Sequence, residues 1–427
     1  MRIYPIQAFD KDLEHIAADK SISHRFAIFS MLCEKESFAK NYLLAEDTLN
    51  TLQILRSLGA TVSLEKSNVS IKPPSKIVSP NSILECGNSG TAMRLMMGFL
   101  SAVDGFFVLS GDKYLNNRPM KRISTPLCKI GAKIYGRDNA NLAPICIEGN
   151  SKLDAFTYES EISSAQVKTA LILAALRAKD KCFFSESKLS RNHSENMLKA
   201  MNAPITTSDN ELSIEINPLQ KPLKPLDISI ANDPSSAFYF ALAASICPNS
   251  KIVIKNVLLN KTRIQAYKVL EKMGAKISFK KTSSSYEDIG EIHVQSSTLQ
   301  AVELSENISW LIDEAPALAV AFACAKGRSV LRNAKELRVK ESDRIKAMVS
   351  NLRKCGIEAK ELDDGFEIIG SEAKFAEVDS FGDHRIAMSM AILGLKSGMS
   401  ITDCDCINTS FPNFKEILMS LGARVED

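Results

Sequence analysis

The chain has 427 residues, 45% hydrophobic and 24% charged, a balance typical of a globular protein with two or three domains. Its formal net charge of +3 and the lack of a long basic run argue against nucleic-acid binding. No run of about 18 apolar residues predicts a membrane span, and charges interrupt the N-terminus too early for a secretory signal. We therefore expect a cytoplasmic protein whose ten cysteines are free thiols.

One structural unit recurs six times along the chain. Each copy begins with a polar loop and an apolar helix, continues through a strand and a second loop, and ends with a closing helix, a stop residue and a strand. The stops lie 66 to 82 residues apart, at Gly59, Gly131, Asn202, Gly274, Gly356 and Gly422. Because Gly and Asn readily adopt the left-handed conformation that ends a helix, this spacing predicts six mixed helix-strand repeats.

Several elements can be predicted individually. The chain begins with a predicted strand over residues 2–9, and "KIVIKNVLL" and "RSVLRNA" predict strands in the fourth and fifth repeats. The closing helix of the fifth repeat has the i, i+3, i+4, i+7 stripe of a half-buried helix, formed by Ile345, Met348, Val349 and Leu352.

Six repeats predict an α/β protein of two domains with three repeats each, joined at the Pro-rich segment "KPLKPLDISIAND". The initial strand has a counterpart only at residues 226–231. We therefore predict one domain of residues 1–16 plus 229–427 and another of residues 17–228. Two chain crossings then imply a hinge near 16–19 and 226–232, with an active-site cleft between the domains.

The polar loops that open the repeats suggest an anion site. These loops are "DKSISHR", "GNSGTAMR", "SSAQVK", "NDPSSAFY", "IDEAPALA" and "FGDHRIAM". Each places small hydrogen-bonding residues at a helix entrance, where free N–H groups and the helix dipole favour an anion. Several of these loops, and the loops before the closing helices, also carry cations that capping does not require, including Arg118, Arg191, Arg338, Lys340 and Arg344. The cleft should therefore bind a small substrate with several negative charges.

Carboxylates in such loops are unexpected unless they have a function, because they would repel an anionic ligand. Asp313 and Glu341 are therefore candidates for proton transfer. Glu314 and Asp383 are the alternatives, although we expect Asp383 to cap a helix or to orient Arg385. His384 is open to a catalytic or a structural role.

The motifs "DKSISHR", "GNSGTAMRL", "NNRPM", "SSAQVK", "RVKESDR" and "GDHRIAM" together resemble the 5-enolpyruvylshikimate-3-phosphate (EPSP) synthase family. The likeness runs in the family's order from residue 19 to "TSFPNF" at 409–414. It implies a two-domain inside-out α/β barrel with three repeats per domain. It also implies transfer of the enolpyruvyl group of phosphoenolpyruvate to the 5-hydroxyl of shikimate 3-phosphate, through a tetrahedral intermediate, in aromatic amino-acid biosynthesis. We expect a monomer that needs no cofactor or metal.

The resemblance also implies which residues contact each substrate. Those expected at shikimate 3-phosphate are Ser21, Arg25, Ser164, Gln166, Arg191, Asp313 and Lys340. Those expected at phosphoenolpyruvate are Lys20, Gly90, Arg118, Gln166, Arg344 and Arg385. Asp313, Glu341 and Lys20 are the expected proton carriers, whereas Asn88, Thr91 and Arg94 are expected to shape the loop.

Two positions depart from the best-studied branch of the family. Thr409 replaces a lysine that contacts phosphoenolpyruvate there, and Arg191 lies where that branch uses Ser and Tyr. Both changes resemble the second bacterial class, which is associated with glyphosate tolerance. Gly90, however, stands where the tolerant members carry Ala, so we expect glyphosate to inhibit this enzyme.

Two other functions fit parts of this sequence less well. UDP-N-acetylglucosamine enolpyruvyl transferases share the fold and place a reactive Cys in a mobile loop, but the aligned loop "NNRPMKRI" has none. Cys128 lies in the following helix, where we expect a core thiol. A nucleic-acid-binding relative of the RNA-phosphate cyclases would need stacking aromatics beside the basic loops, which offer little besides Tyr114 and Phe381.

Overall fold

A computed structural model describes residues 1–426 and separates the chain into two compact units. Lys20–Ile230, here the first unit, contains repeats one to three, and Met1–Asp19 with Ala231–Asp427, the second unit, contains repeats four to six. These limits and the predicted ones differ by a few residues at each crossing. Within residues 1–426, no helix is both long and apolar enough to cross a membrane.

The chain forms two short strands before the first unit, β1 (Arg2–Ile3) and β2 (Asp10–Leu13). The strands of the first unit are β3 (Ser37–Lys40), β4 (Thr61–Glu65), β5 (Asn68–Lys72), β6 (Leu84–Glu85), β7 (Gly105–Ser110), β8 (Lys133–Gly136), β9 (Leu142–Gly149), β10 (Thr157–Ser160), β11 (Cys182–Glu186), β12 (Ile205–Thr207), β13 (Ser213–Ile216) and β14 (Asp227–Ser229). Its helices are α1 (Lys20–Ser30), α2 (Glu46–Ser57), α3 (Gly90–Ser101), α4 (Lys121–Lys129), the left-handed turn α5 (Arg137–Ala140), α6 (Ala165–Ala175) and α7 (His193–Ala200), with a 3-10 turn at Leu115–Asn117.

The second unit continues the same alternation. Its later strands are β15 (Lys251–Leu258), β16 (Lys276–Ser284), β17 (Asp288–Gln295), β18 (Glu303–Leu304), β19 (Gly327–Leu331), β20 (Glu358–Leu362), β21 (Gly365–Gly370), β22 (Glu377–Asp379), β23 (Met399–Thr402) and β24 (Val425–Glu426). Its helices are α8 (Pro234–Ile246), α9 (Gln265–Lys272), α10 (Ile308–Leu311), α11 (Ala315–Ala323), α12 (Arg344–Lys354), α13 (His384–Ser397) and α14 (Phe414–Ser420), with 3-10 turns at Lys335–Val339 and Cys404–Thr409. The strands predicted at "KIVIKNVLL" and "RSVLRNA" are confirmed as β15 and β19.

The six predicted helix stops share one backbone conformation. All have positive φ angles, at Gly59, Gly131, Asn202, Gly274, Gly356 and Gly422. Each follows a closing helix within two residues and precedes a strand of the same repeat. The repeat predicted from the stop residues is therefore confirmed.

The strands of residues 1–426 form six four-stranded sheets with a shared arrangement. The second repeat shows it most simply, in the order β6-β7-β9-β8: the first two strands are parallel, and the remaining pairs are antiparallel. The third and fifth repeats use the orders β10-β11-β13-β12 and β18-β19-β21-β20.

Repeats one and four exchange their first strands. β2 immediately precedes α1 of the first repeat, yet it pairs in parallel with β15 of the fourth. Conversely, β14 precedes α8 of the fourth repeat but pairs in parallel with β3 of the first. This exchange is why the N-terminal segment belongs to the second unit and why the first unit extends to Ile230.

The strand predicted over residues 2–9 is wrong in its extent. β1 covers two residues and lies between β23 and β24, so it completes the sixth sheet. Pro5 follows closely and has no N–H to donate to a sheet. Pairing resumes only at β2, with a different sheet.

The helices that open the repeats are buried, whereas the closing helices are amphipathic. In the second unit, α8 and α11 are buried along their whole lengths and pack with α13. In the first unit, α3 packs closely on α6. The predicted stripe of α12 is confirmed, because Ile345, Met348, Val349 and Leu352 are all buried. Each unit therefore has helices at its centre and holds the starts of these helices in fixed positions.

The preference for Gly or Asn at the left-handed helix stops can be tested by substitution. At Gly422, φ is +93° and an added Cβ would meet no atom within 4 Å, so Gly422→Ala changes backbone preference without a steric clash. We expect it to lower the free energy of unfolding by roughly 1 kcal/mol or more, as measured by urea unfolding. Asn202→Gly, at φ 58°, is the matched control and should not destabilise the protein. Equal effects of the two substitutions would contradict this account.

Candidate active site

The opening helices start with side-chain caps. Ser89 accepts a hydrogen bond from the Ala92 amide at the start of α3, and Ser164 caps α6 in the same way. In the second unit, Asp233 caps α8 and Asp383 caps α13. Since each cap satisfies only one or two N–H groups, the helix starts can still attract an anion.

The start of α1 holds two of the predicted cations in the first unit. Lys20 Nζ lies 3.1 Å from Asp47 Oδ2, and its side chain is 21% exposed. Arg25 is almost fully buried and donates hydrogen bonds from Nε to Ser194 Oγ at 2.8 Å and from Nη2 to Thr169 Oγ1 at 3.1 Å. Its Nη1 donates to the backbone oxygen of Ser21 at 3.1 Å. Arg25 thus joins the first turn of α1, which carries Lys20 and Ser21, to α6 and α7.

The start of α3 lies against two arginines. A Cβ atom added to Gly90 would be 3.2 Å from Nη1 of Arg94 and 3.2 Å from Nη1 of Arg118. Arg118 donates to the backbone oxygen of Asn88 at 3.2 Å and to Asn88 Oδ1 at 2.5 Å. The absence of a side chain at position 90 therefore leaves space in front of both guanidinium groups.

Gln166 is held by the first turns of α3. Arg94 Nη1 donates to Gln166 Oε1 at 2.6 Å, and Gln166 Nε2 donates to Thr91 Oγ1 at 2.9 Å. These bonds, with those from Arg118 to Asn88, agree with the expectation that Asn88, Thr91 and Arg94 have a structural role here, which stays a prediction. Gly90, Arg118 and Gln166 consequently form one connected group, while Ser164 lies two residues before Gln166 at the start of α6 and Arg191 precedes α7.

Arg344 is the centre of the second unit's predicted site. Its side chain is 1% exposed and donates from Nε to Asp383 Oδ2 at 2.8 Å and from Nη2 to Glu341 Oε2 at 2.6 Å. Asp313 Oδ1 lies 3.7 Å from Nη1. Burial opposes the charged guanidinium, but the charges of Asp383 and Glu341 outweigh it and raise the pKa of Arg344.

Arg385 lies in the same group. Its Nη1 donates to the backbone oxygen of Asp313 at 3.0 Å and is 4.0 Å from Glu314 Oε1. Burial again opposes the charge, and Asp313 contributes most to raising the pKa of Arg385. The second unit therefore brings Asp313, Glu341, Arg344 and Arg385 together.

Exposure separates the carboxylates of this group. Asp313 and Glu341 are 21% and 18% exposed, whereas Glu314 and Asp383 are 1% and 0% exposed. Asp383 accepts from the Arg385 amide, from Ser342 Oγ and from Arg344, which confirms the expectation that it caps a helix. Asp313 and Glu341 are therefore the two carboxylates of this group that are partly exposed.

The loop before α12 carries two further cations, Lys340 and Arg338, which differ in their contacts. Lys340 Nζ donates to Glu336 Oε1 at 3.2 Å and keeps 22% of its side chain exposed. Arg338 Nη1 contacts Asp343 and Glu361, both at 2.8 Å, and its other nitrogens donate to backbone carbonyls. Arg338 therefore stabilises the conformation of the loop in which it lies.

Several residues of the two groups were missed from the sequence. Asp47, Thr169 and Ser194 contact Lys20 and Arg25, but each looks like an ordinary helix residue in the sequence. Tyr239 is buried in the second unit, and none of the described residues hydrogen-bonds its hydroxyl. Burial raises the pKa of Tyr239 to about 12, although the nearby charges of Arg385 and Arg344 oppose the shift.

One prediction about the cysteines is wrong. All ten are free, as expected. Cys128 lies in α4 but is exposed, so its prediction as a core thiol is wrong. The buried residues of α4 are Ile123, Ser124, Pro126 and Leu127. Cys128 lies at the edge of this face, about 40° around the helix from Ser124, and beside the exposed Lys129.

A buried histidine of α1, His24, connects α2 with the start of α3. His24 Nδ1 lies 2.8 Å from Thr51 Oγ1, and His24 Nε2 lies 3.3 Å from Ser89 Oγ, the cap of α3. Thr51 Oγ1 in turn donates to the backbone oxygen of Asp47, the partner of Lys20. Burial, with added repulsion from Lys20 and Arg25, holds the pKa of His24 well below its ordinary value.

This histidine predicts a pH effect on stability. Unfolded His24 takes up a proton near pH 6.5, whereas the folded form stays neutral, so its contribution is complete above that pH and is lost as the pH falls. Between about pH 7.5 and about pH 5.5, the wild type should lose about 1.4 kcal/mol more unfolding free energy than His24→Gln. Urea unfolding at the two pH values measures this difference, and equal losses in both proteins would contradict it.

Comparison with known proteins adds independent findings. A family model described as EPSP synthase (3-phosphoshikimate 1-carboxyvinyltransferase) matches residues 3–418. A 3-phosphoshikimate 1-carboxyvinyltransferase from a Campylobacter jejuni strain is 66% identical, with 100% of both chains covered. EPSP synthase from Acinetobacter baumannii has a TM-score of 0.86 at 35% identity, covering 100% of this chain and 99% of that one.

A more distant structure shares the fold. The enolpyruvyl transferase NikO from Streptomyces tendae has a TM-score of 0.77 at 13% identity, covering 100% of this chain and 98% of that one. Together with the six repeats, these matches confirm the expected inside-out α/β fold. The chain belongs to the EPSP synthase (3-phosphoshikimate 1-carboxyvinyltransferase) family.

Proposed function

We propose that this enzyme transfers the enolpyruvyl group of phosphoenolpyruvate to the 5-hydroxyl of shikimate 3-phosphate and releases inorganic phosphate. The observation that carries this is 66% identity over the whole chain to a curated 3-phosphoshikimate 1-carboxyvinyltransferase. The hydroxyl gives up its proton to one carboxylate and its oxygen adds to C2 of phosphoenolpyruvate, while C3 gains a proton from another proton carrier, which gives a tetrahedral intermediate. Loss of a C3 proton and of phosphate then forms the enol ether.

The proposed contacts to shikimate 3-phosphate are Ser21, Arg25, Ser164, Gln166, Arg191, Asp313 and Lys340. In the first unit, Ser164 caps α6, whose start favours an anion. Arg25 is fixed by three hydrogen bonds and so loses little further freedom on binding. These features support recognition of the phosphate and the hydroxyl groups of this substrate.

The proposed contacts to phosphoenolpyruvate are Lys20, Gly90, Arg118, Gln166, Arg344 and Arg385. The space beside Gly90, in front of Arg94 and Arg118, suits a phosphate or carboxylate group. In the second unit, Arg344 is buried and Arg385 is 12% exposed, and nearby carboxylates raise the pKa of both guanidinium groups. Thr409 replaces the family lysine, and its hydroxyl donates to the backbone oxygen of Cys406 at 2.7 Å.

Asp313, Glu341 and Lys20 are the proposed proton carriers. A group that exchanges protons with substrate must be reachable, and each of these side chains keeps about a fifth of its surface exposed. Glu314 and Asp383, by contrast, are buried, and Asp383 is bound to Arg344. The two exposed carboxylates and the lysine are therefore preferred over the alternatives.

We also propose a cytoplasmic monomer that works without a metal or cofactor. The ten free cysteines support a reducing compartment. Static light scattering of the purified chain should give the mass of one chain, 46.9 kDa. A dimer mass would overturn the monomer.

The reaction is tested by phosphate release from phosphoenolpyruvate. Shikimate 3-phosphate is supplied in one sample and UDP-N-acetylglucosamine in another. We expect release only with shikimate 3-phosphate, together with the enol ether product in a mass spectrum. Release only with UDP-N-acetylglucosamine, or with neither, would overturn the proposed function.

The role of Glu341 is tested by Glu341→Gln. We expect kcat to fall by about 10² to 10⁴-fold with little change in either KM, because proton transfer is lost while the side chain keeps its size. Glu361→Gln is the matched control, since Glu361 also pairs with an arginine of this loop, Arg338. A loss confined to KM would show that Glu341 serves to orient Arg344.

The role of Gly90 is tested with glyphosate. We expect glyphosate to inhibit the wild type and Gly90→Ala to raise the inhibition constant at least about tenfold, because the methyl group enters the space before two guanidinium groups. Gly422→Ala serves as a distant glycine control. An unchanged inhibition constant for Gly90→Ala would contradict this account.

A further inference from the structure

Lys168, Glu186 and Glu195 form a buried charged cluster that the proposed reaction does not use. Lys168 Nζ lies 2.7 Å from Glu186 Oε1 and 2.7 Å from Glu195 Oε1. All three side chains are at most 3% exposed. With one cation and two carboxylates, the cluster holds charge in the interior of the first unit.

The cluster joins three elements that carry proposed substrate contacts. Lys168 is in α6, between Gln166 and Thr169, and Glu195 is in the first turn of α7. Glu186 ends β11, and its Oε1 accepts hydrogen bonds from the Ser190 amide at 2.8 Å and from Ser190 Oγ at 3.1 Å. The residue after Ser190 is Arg191, so Glu186 fixes the chain immediately before that arginine.

A second contact lies beside the first. Thr169 follows Lys168 and Ser194 precedes Glu195, and the hydroxyl oxygens of Thr169 and Ser194 are 2.5 Å apart. Arg25 donates to both of these hydroxyls. The register of α6 against α7 therefore also sets the position of Arg25.

Stability alone does not account for such a cluster. Buried ion pairs are often replaced by apolar residues without loss of stability, because the cost of desolvation offsets the attraction. Here the second oxygens of Glu186 and Glu195 are also buried and have no hydrogen-bond partner among residues 1–426. The cluster instead fixes the geometry. Both 2.7 Å contacts of Lys168 can form together only when α6, α7 and the end of β11 have one particular alignment.

We propose that Lys168, Glu186 and Glu195 are positioning residues that align α6 with α7, and so hold Ser164, Arg191 and Arg25 in place for shikimate 3-phosphate, whereas Gln166 is held by Arg94 and Thr91. The inference rests on the proposed function for the identity of the ligand. The alignment itself does not depend on that identity.

Glu195→Gln is the decisive variant. It removes the negative charge of one partner but leaves Lys168 paired with Glu186, so no buried charge loses its last charged partner. We expect the KM for shikimate 3-phosphate to rise about tenfold, as for the loss of one charge-assisted hydrogen bond, with kcat and the KM for phosphoenolpyruvate within about twofold of wild type.

Two controls separate positioning from general destabilisation. Asp154→Asn breaks the exposed pair with Lys179 by the same chemical change and should leave both KM values unchanged. Val69→Ala removes buried side-chain volume elsewhere in the first unit and should lower thermal stability without a selective change in one KM. A rise of both KM values together in Glu195→Gln would overturn the positioning role.

Hydrogen exchange without ligand tests the alignment independently. The α7 amides should exchange at least about tenfold faster in Glu195→Gln than in Asp154→Asn, because local opening becomes easier. Unchanged exchange would overturn the alignment. Faster exchange with an unchanged KM would overturn its link to shikimate 3-phosphate. If the wild type does not turn over shikimate 3-phosphate, the proposed function fails, while exchange still decides the alignment.

Discussion

Charged side chains buried at the starts of the opening helices are the constraint on which the rest of the structure depends. Arg344 is 1% exposed, and Asp383, which receives its Nε hydrogen bond, is also the cap of α13. Leaving such an arginine without its carboxylate would cost about 3 to 5 kcal/mol, so the cap, the ion pair and the loop conformation are formed together. Arg25 of α1 is also buried, and its hydrogen bonds go to the hydroxyl groups of Ser194 and Thr169.

Buried ion pairs also fix the segments where the chain passes between the units. Within the second unit, Arg263 donates from Nη1 to Asp19 Oδ2 at 2.7 Å and from Nη2 to Asp233 Oδ1 at 2.9 Å. Asp19 immediately precedes Lys20, and Asp233 caps α8. The exchanged strands β2 and β14 need such anchors, because each must leave the repeat that it precedes. Rigid helices surrounded by sheets then leave the loops to carry the chemistry of an enolpyruvyl transferase.

What could be predicted from the sequence was local. The stops at Gly59 and Asn202, the stripe of α12 and the cap at Asp383 follow from residue type and spacing within a few positions. The exchange of β2 and β14 could not be predicted, because the pairing of a strand depends on residues far along the chain. For the same reason the partners of Arg25, which come from two other repeat elements, were missed. Residue type alone would place Lys168 at the surface, yet it is buried.

The account is tested most directly by a crystal structure of this enzyme with shikimate 3-phosphate. The central claim is that side chains fixed in advance by buried contacts recognise this substrate. We predict phosphate oxygens within about 3.2 Å of Ser164 Oγ and of the Arg191 guanidinium, with the bonds from Arg25 to Ser194 and Thr169 preserved. A phosphate bound away from Ser164 and Arg191, or an Arg25 side chain released from its hydroxyl partners, would contradict the account.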